Sequence, residues 1–199
     1  TNLAALSSAQ VQALTTAQVV GLTDTQISNM NTTTLQALTV KQVAVLETSD
    51  IVSLGSTKVT SLSSTQLRAM TTAQIAALTT KQIAALATNQ VAVLTTKQVQ
   101  SLTTQQVQQG LTTDQLVALT TQQVAQGLTT DQISLGLTTA QIAALETRDV
   151  AALTTAQIAS LTTKQVQLGL TTDQVVGLTT GQVANLTTDQ VQLGLTTAQ

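Results

Sequence analysis

The sequence predicts an all-α solenoid of very short helices, and three observations predict it. From Leu6 to Gly194 the chain is an unbroken tandem array of 23 units, 18 of eight residues and five of nine; a short fixed period is the signature of a repeat architecture. Each unit also carries a helix start. Finally, no unit can fold alone: burying one Leu and one Val gains roughly 3–6 kcal/mol, while ordering eight backbones costs roughly 8–16 kcal/mol. Stacking is therefore obligatory.

The unit reads in order from its first residue, with Leu153-Thr154-Thr155-Ala156-Gln157-Ile158-Ala159-Ser160 as the type. Position one is Leu except at Met30 and Met70, and position six is Val, Ile or Leu in all 23 units. Position five is Gln in 19, the exceptions being Thr34, Asp50, Lys58 and Asp149. Thr154 followed three residues later by Gln157 is a capping box, in which the hydroxyl accepts from the N3 amide and the Gln side chain reaches back to the cap N–H. Leu153 and Ile158 then occupy the two positions of a hydrophobic staple. Position four lies exposed in the first turn and varies freely, with Lys41, Lys81, Lys97 and Lys164 against Asp114, Asp131, Asp173 and Asp189.

Such a helix has to stop. An eight-residue period leaves the apolar stripe about 80° out of phase at each repeat, so no straight helix keeps one face buried. A fresh Thr-Thr cap every unit favours a restart instead. In the nine-residue units Gly110, Gly127, Gly136, Gly169 and Gly194 each precede the next Leu. Gly in that place predicts a left-handed residue just past the helix end. The Gly spacing fits two or three units per solenoid turn.

The alternative is a β-solenoid. Thr, Val and Ile favour strands, and 43 of the 199 residues are Thr. Against it, positions one and six have opposite parity, so one flat strand cannot bury both without a corner.

Composition excludes several classes. The chain holds 42% apolar residues and no aromatic, which suits a thin inter-unit core better than one large globular core. Sixteen charged residues with net charge −2 give no electrostatic nucleic-acid site. No run approaches the ~18 apolar residues of a membrane span. Cys is absent, so there is no disulfide framework.

Residues 1–199 form a single continuous octapeptide/nonapeptide array with no linker. Leu3 occupies position six of a unit that starts earlier, and Leu195–Gln199 stops midway. The expectation is a fragment or subunit of a longer array. All twelve units from Leu6 to Ser101 are octads, and residues 22–69 depart most from the pattern, at Asn31, Thr34, Val40, Gly55 and Lys58.

Runs such as Met70-Thr71-Thr72-Ala73-Gln74-Ile75-Ala76-Ala77-Leu78 resemble the Thr/Gln-rich LTTxQ(V/I) tandem tracts of very large secreted or surface proteins of Gram-negative bacteria, often described as adhesin-like. The resemblance spans the whole chain. It implies an extracellular or cell-surface setting and carries over no functional residues.

Candidate chemistry is sparse. Glu47-Thr48-Ser49-Asp50 and Glu146-Thr147-Arg148-Asp149 put carboxylates at positions two and five. A pair of acids suits metal binding or acid–base work; an acidic helix start favoured by the dipole explains the same residues without a ligand, and is the reading adopted. With no His and no Cys, the abundant hydroxyls lack the usual general base. No catalytic, cofactor-binding or metal residue is therefore assigned, and no enzyme or cofactor is expected. Asn31-Thr32-Thr33 and Asn185-Leu186-Thr187 match the glycosylation pattern.

The functional expectation is a structural stalk, fibre or matrix component, associating end to end with copies of itself or continuing covalently as one array. The alternative is a module that uses a regular Thr-rich face to bind ice or surface glycans. Thr side chains already spent as caps argue against it.

Overall fold

A computed structural model describes residues 3–197 and 199. The regular elements among them are helical, mostly of five to seven residues. No strand occurs among the described residues, so the solenoid is the all-α one.

The chain divides into two compact units, Thr1–Leu94 and Thr95–Gln199. Within the first, helices three repeats apart pack on each other: Ser8–Ala13 on Thr32–Ala37, Thr16–Val20 on Val40–Ala44, Asp24–Ser28 on Thr48–Ser53. Within the second the interval is the same, with Thr139–Ala144 on Thr163–Gly169 and the latter on Gln190–Gly194. Each solenoid turn thus takes three units, the larger of the two values the sequence allowed.

Capping supplies the local rule. Thr71 caps the helix Thr72–Ala77: its backbone N–H donates to Gln74 Oε1 at 2.7 Å, and its Oγ1 accepts from the Gln74 N–H at 3.2 Å. Positions one and six then form the core, Ile75 at 0% and Leu78 at 3% exposure. A third row is buried with them. It is position five, where Gln74 is 2% exposed.

Octads and nonads close differently. In most octads the N–H of the next position-one residue donates to the carbonyl of position six, as Leu78 does to Ile75 at 3.2 Å; Leu54, at the uncapped unit, donates to Asp50 at 3.1 Å instead. In a nonad it donates five residues back, to position five: Leu111 to Gln106 at 2.9 Å, Leu137 to Gln132 at 2.8 Å. Four of the five nonads thereby end in a π-helical turn such as Gln132–Gly136, the wide turn that absorbs one inserted residue. The expected left-handed glycines are not found. The positive φ among the described residues belongs to Gly55 (69°), which sits where a unit lacks its capping hydroxyl and the helix Thr48–Ser53 bends directly into Gly55–Val59.

Why the nonads use glycine follows from packing. A Cβ on Gly136 would stand 3.2 Å from Val107 Cβ, and one on Gly194 would stand 3.0 Å from Val166 Cβ. Each glycine lets its π turn press against the position-six residue three units earlier.

Candidate functional site

The feature that recurs is a ladder of buried amides. The capping box uses only the oxygen of each Gln. In the described layers its Nε2 donates to carbonyls four units back, most often those of position six and the following position one. Gln74 Nε2 bonds Val43 O at 2.9 Å and Leu46 O at 2.7 Å. Gln165 bonds Ile133 O and Leu137 O, both at 2.7 Å. Each amide thus ties its own helix start to the last turn of a helix in the layer beneath. This gives the position-one carbonyl a donor that burial would otherwise deny it, and adds a second donor to position-six carbonyls such as that of Val43, which already accepts the Leu46 N–H.

Sequence reading missed this second role, although a signal was present. Glu completes a capping box as well as Gln and suits the helix dipole better, yet position five holds 19 Gln and no Glu. A site that needs an acceptor alone would admit both. One that needs acceptor and donor together admits only the amide.

The exceptions show what else fits. Lys58 sends its ammonium to the Ser28 carbonyl, four units back. Asp50 accepts from the Glu47 N–H at 2.9 Å and is 2% exposed. The Asp24 carboxyl, three units earlier, lies near enough to influence it. Burial pushes the Asp50 carboxyl up from its ordinary value, the Glu47 N–H opposes this, and Asp24 pushes it further up. The second acidic start behaves differently. Asp149 accepts from Thr121 Oγ1 at 2.6 Å, while Arg148 Nε lies 2.7 Å from Glu146. The two acidic starts fall in different compact units; the Asp50 carboxylate serves its own helix start, whereas Asp149 Oδ2 is buried without a hydrogen-bond partner.

The hydroxyls at position two are spent as caps, as at Thr154 and Thr162. Asn31 uses its side-chain oxygen to cap Thr34 at 2.7 Å, and Asn185 Nδ2 donates to Gly181 O at 2.8 Å. A surface groove lined by Ser134, Leu135, Thr139 and Lys164 carries one titratable group, Lys164. Among the described residues no three His, Cys, Asp or Glu side chains gather to hold a metal. No described helix is long and apolar enough to cross a membrane.

Comparison with known proteins agrees with this geometry. A family model described as the ALTTAQ repeat matches residues 1–32, 43–80, 51–88 and 142–180, together more than half of the chain. No curated protein matches. The matched motif is the LTTxQ start that builds cap, staple and amide ladder. The chain belongs to the ALTTAQ repeat family.

Proposed function

We propose that this chain is a structural repeat, an extracellular stalk, fibre or matrix component that acts without catalysis and without a cofactor. The observation that carries the reading is the amide ladder. The same pair of bonds joins turn to turn at both Gln42 and Gln190, so the rule that builds one turn builds any number. Repeat stacks of this kind gain stability from nearest-neighbour interfaces and lengthen without changing their surface chemistry.

The edges of the array support association with further units. Among the described residues no carbonyl receives Nε2 of Gln10, Gln18 or Gln26, whose oxygens already serve their own caps. At the other edge Val183 and Val191 of the position-six row are about half exposed, at 51% and 48%. In the proposed assembly, these donors of one copy take the apolar row and carbonyls at the other edge of the next copy as partners. A heterologous contact of this type propagates as a fibre unless its rotation closes a ring, and net charge −2 offers little repulsion. Covalent continuation would use the same bonds. Electron microscopy of native material with denaturing mass measurement separates these outcomes. Long filaments giving a 20.5 kDa band support assembly of this chain, and a far larger band supports one continuous array. Monodisperse, isolated copies that stay so at high concentration overturn the assembling role.

A further inference from the structure

Along the ladder, the amides on either side of Asp149 behave alike. Gln141 Nε2 bonds Val107 O and Leu111 O, both at 2.8 Å, and Gln157 Nε2 bonds Val124 O at 3.3 Å and Leu128 O at 2.6 Å. The unit between them has Asp149 at position five, and the same register assigns it the carbonyls of Leu116 and Leu119. Both residues are buried. The Leu116 carbonyl accepts the Leu119 N–H at 3.1 Å, and no donor reaches the Leu119 carbonyl among the described residues.

Asp149 cannot replace the amide. Its side chain is one methylene shorter and, ionised, brings oxygens only. Oδ1 is taken by Thr121, while Oδ2 is buried and meets no donor of the protein. Arg148 does not serve it, because its Nε lies 2.7 Å from Glu146 and 3.9 Å from Asp149 Oδ1, and its side chain is 69% exposed. A buried carboxyl oxygen without a partner is costly, and the repeat register puts Asp149 in the row where the neighbouring layers carry an amide nitrogen. The chain itself shows that a cationic donor is accepted in the position-five row: Lys58 puts its ammonium on the Ser28 carbonyl four units back.

We propose that Asp149 Oδ2, with the carbonyls of Leu116 and Leu119, binds a monovalent cation of the sodium, potassium or ammonium class, which takes the place of the missing amide nitrogen. One carboxylate among neutral carbonyls balances a single positive charge. Calcium asks for six to eight oxygens and usually several carboxylates, which this layer does not supply. The acidic start at Asp50 is the internal contrast, since its carboxylate accepts from the Glu47 N–H at 2.9 Å and leaves no buried oxygen unpaired.

Thermal unfolding of the full chain in sodium, potassium or ammonium chloride, each against choline chloride at equal ionic strength, tests the site. A cation bound only to the folded state raises Tm by about 3–5 °C per tenfold rise in its concentration once the site saturates, for a chain of this size. At least one of the three cations is expected to do this in the natural chain. The gain is expected to vanish in Asp149→Gln, which restores the ladder, and in Asp149→Asn, which removes the charge at equal length. Asp50→Gln is expected to keep it. If no cation exceeds choline in the natural chain, or if the gain persists in either Asp149 variant, the proposal is overturned.

Discussion

In the compact unit Thr1–Leu94 the complete units are octads, whereas Thr95–Gln199 mixes octads with five nonads. The amide ladder is nonetheless the same in both. Gln74 reaches carbonyls 31 and 28 residues back, and Gln141 reaches carbonyls 34 and 30 back. The sequence separation changes with each inserted residue, but the bonded positions do not. The extra residue is taken up inside its own unit by a five-residue closing bond and a glycine, so the stacking register is set by the Gln row and not by the length of the repeat.

The largest expected effect breaks that row. In Gln74→Leu the cap acceptor and the donor to the Leu46 carbonyl are lost, while the Val43 carbonyl keeps the Leu46 N–H; in Gln141→Leu the cap acceptor and the donor to the Val107 and Leu111 carbonyls are lost. At about 1–3 kcal/mol for each buried group left unpaired, roughly 4 kcal/mol of stability should go in each case. If the ladder is equivalent in the two regions, denaturant unfolding will show similar losses for both variants. A loss confined to one of them would show that octads and nonads hold their layers by different means. Gln141→Glu refines the comparison, since it keeps the acceptor and loses the donor. Its cost should fall at acid pH, where a protonated carboxyl donates again.

Next in size is the nonad glycine. Gly136→Val drives a branched side chain toward Val107, 3.2 Å from the position of the new Cβ, and overpacking of this kind costs about 1–3 kcal/mol. Gly181 is the control: its Cβ would meet nothing nearer than Thr155 at 4.0 Å. Gly181→Ala in the helix Thr180–Ala184 should stabilise by about 0.5–1 kcal/mol. Equal effects of the two substitutions would mean that close approach is not why nonads carry glycine.

The element type and the core rows were legible in the sequence, because capping box and staple lie within six residues of each other. Two features were not. The buried role of Gln needs a partner about thirty residues away, which local pattern cannot supply. The nonad glycines carry the same letter whether the backbone turns left-handed or the side chain must be absent; only the packed Val and Ile residues, such as Val99 beneath Gly127, decide between these. Of the acidic starts, the helix-start explanation accounts for Asp50, which still accepts from its own cap N–H. It does not account for Asp149, which accepts instead from Thr121 Oγ1 in the layer beneath.

A smaller effect depends on pH. Asp50 has its folded pKa raised above the unfolded value of 3.8, so between these values the folded chain holds the extra proton. Its contribution to stability is complete below the unfolded value and is lost as pH rises through the folded one. Acidification from neutral pH toward about 4 should therefore strengthen this layer, and Asp50→Asn should remove that part of the pH dependence while raising stability at neutral pH. Melting curves that show the same acid gain in the variant would place the titrating group elsewhere.

The smallest expected effect is a gain, and it concerns a unit in the octad region that lacks half its cap. At the helix Thr88–Ala92 the cap residue is Ala87. Its backbone N–H still donates to Gln90 Oε1 at 3.0 Å, but Ala87 has no hydroxyl, and the Gln90 N–H falls back on the Ala87 carbonyl at 2.9 Å. The backbone already has the extended cap conformation, φ −70° and ψ 154°, nearly that of Thr79 at −70° and 157°. Residue 87 is exposed, so a larger side chain meets no packed neighbour. Ala87→Thr should therefore complete the box and add about 0.5–1 kcal/mol, the usual worth of such a cap. Thr79→Ala should remove a similar amount, making the pair a two-way measure of one hydroxyl in one repeat. A neutral Ala87→Thr beside a costly Thr79→Ala would show that the Gln90 amide loses nothing by its short bond to the carbonyl. The cap hydroxyl would then matter less at this unit than the amide ladder that runs through it.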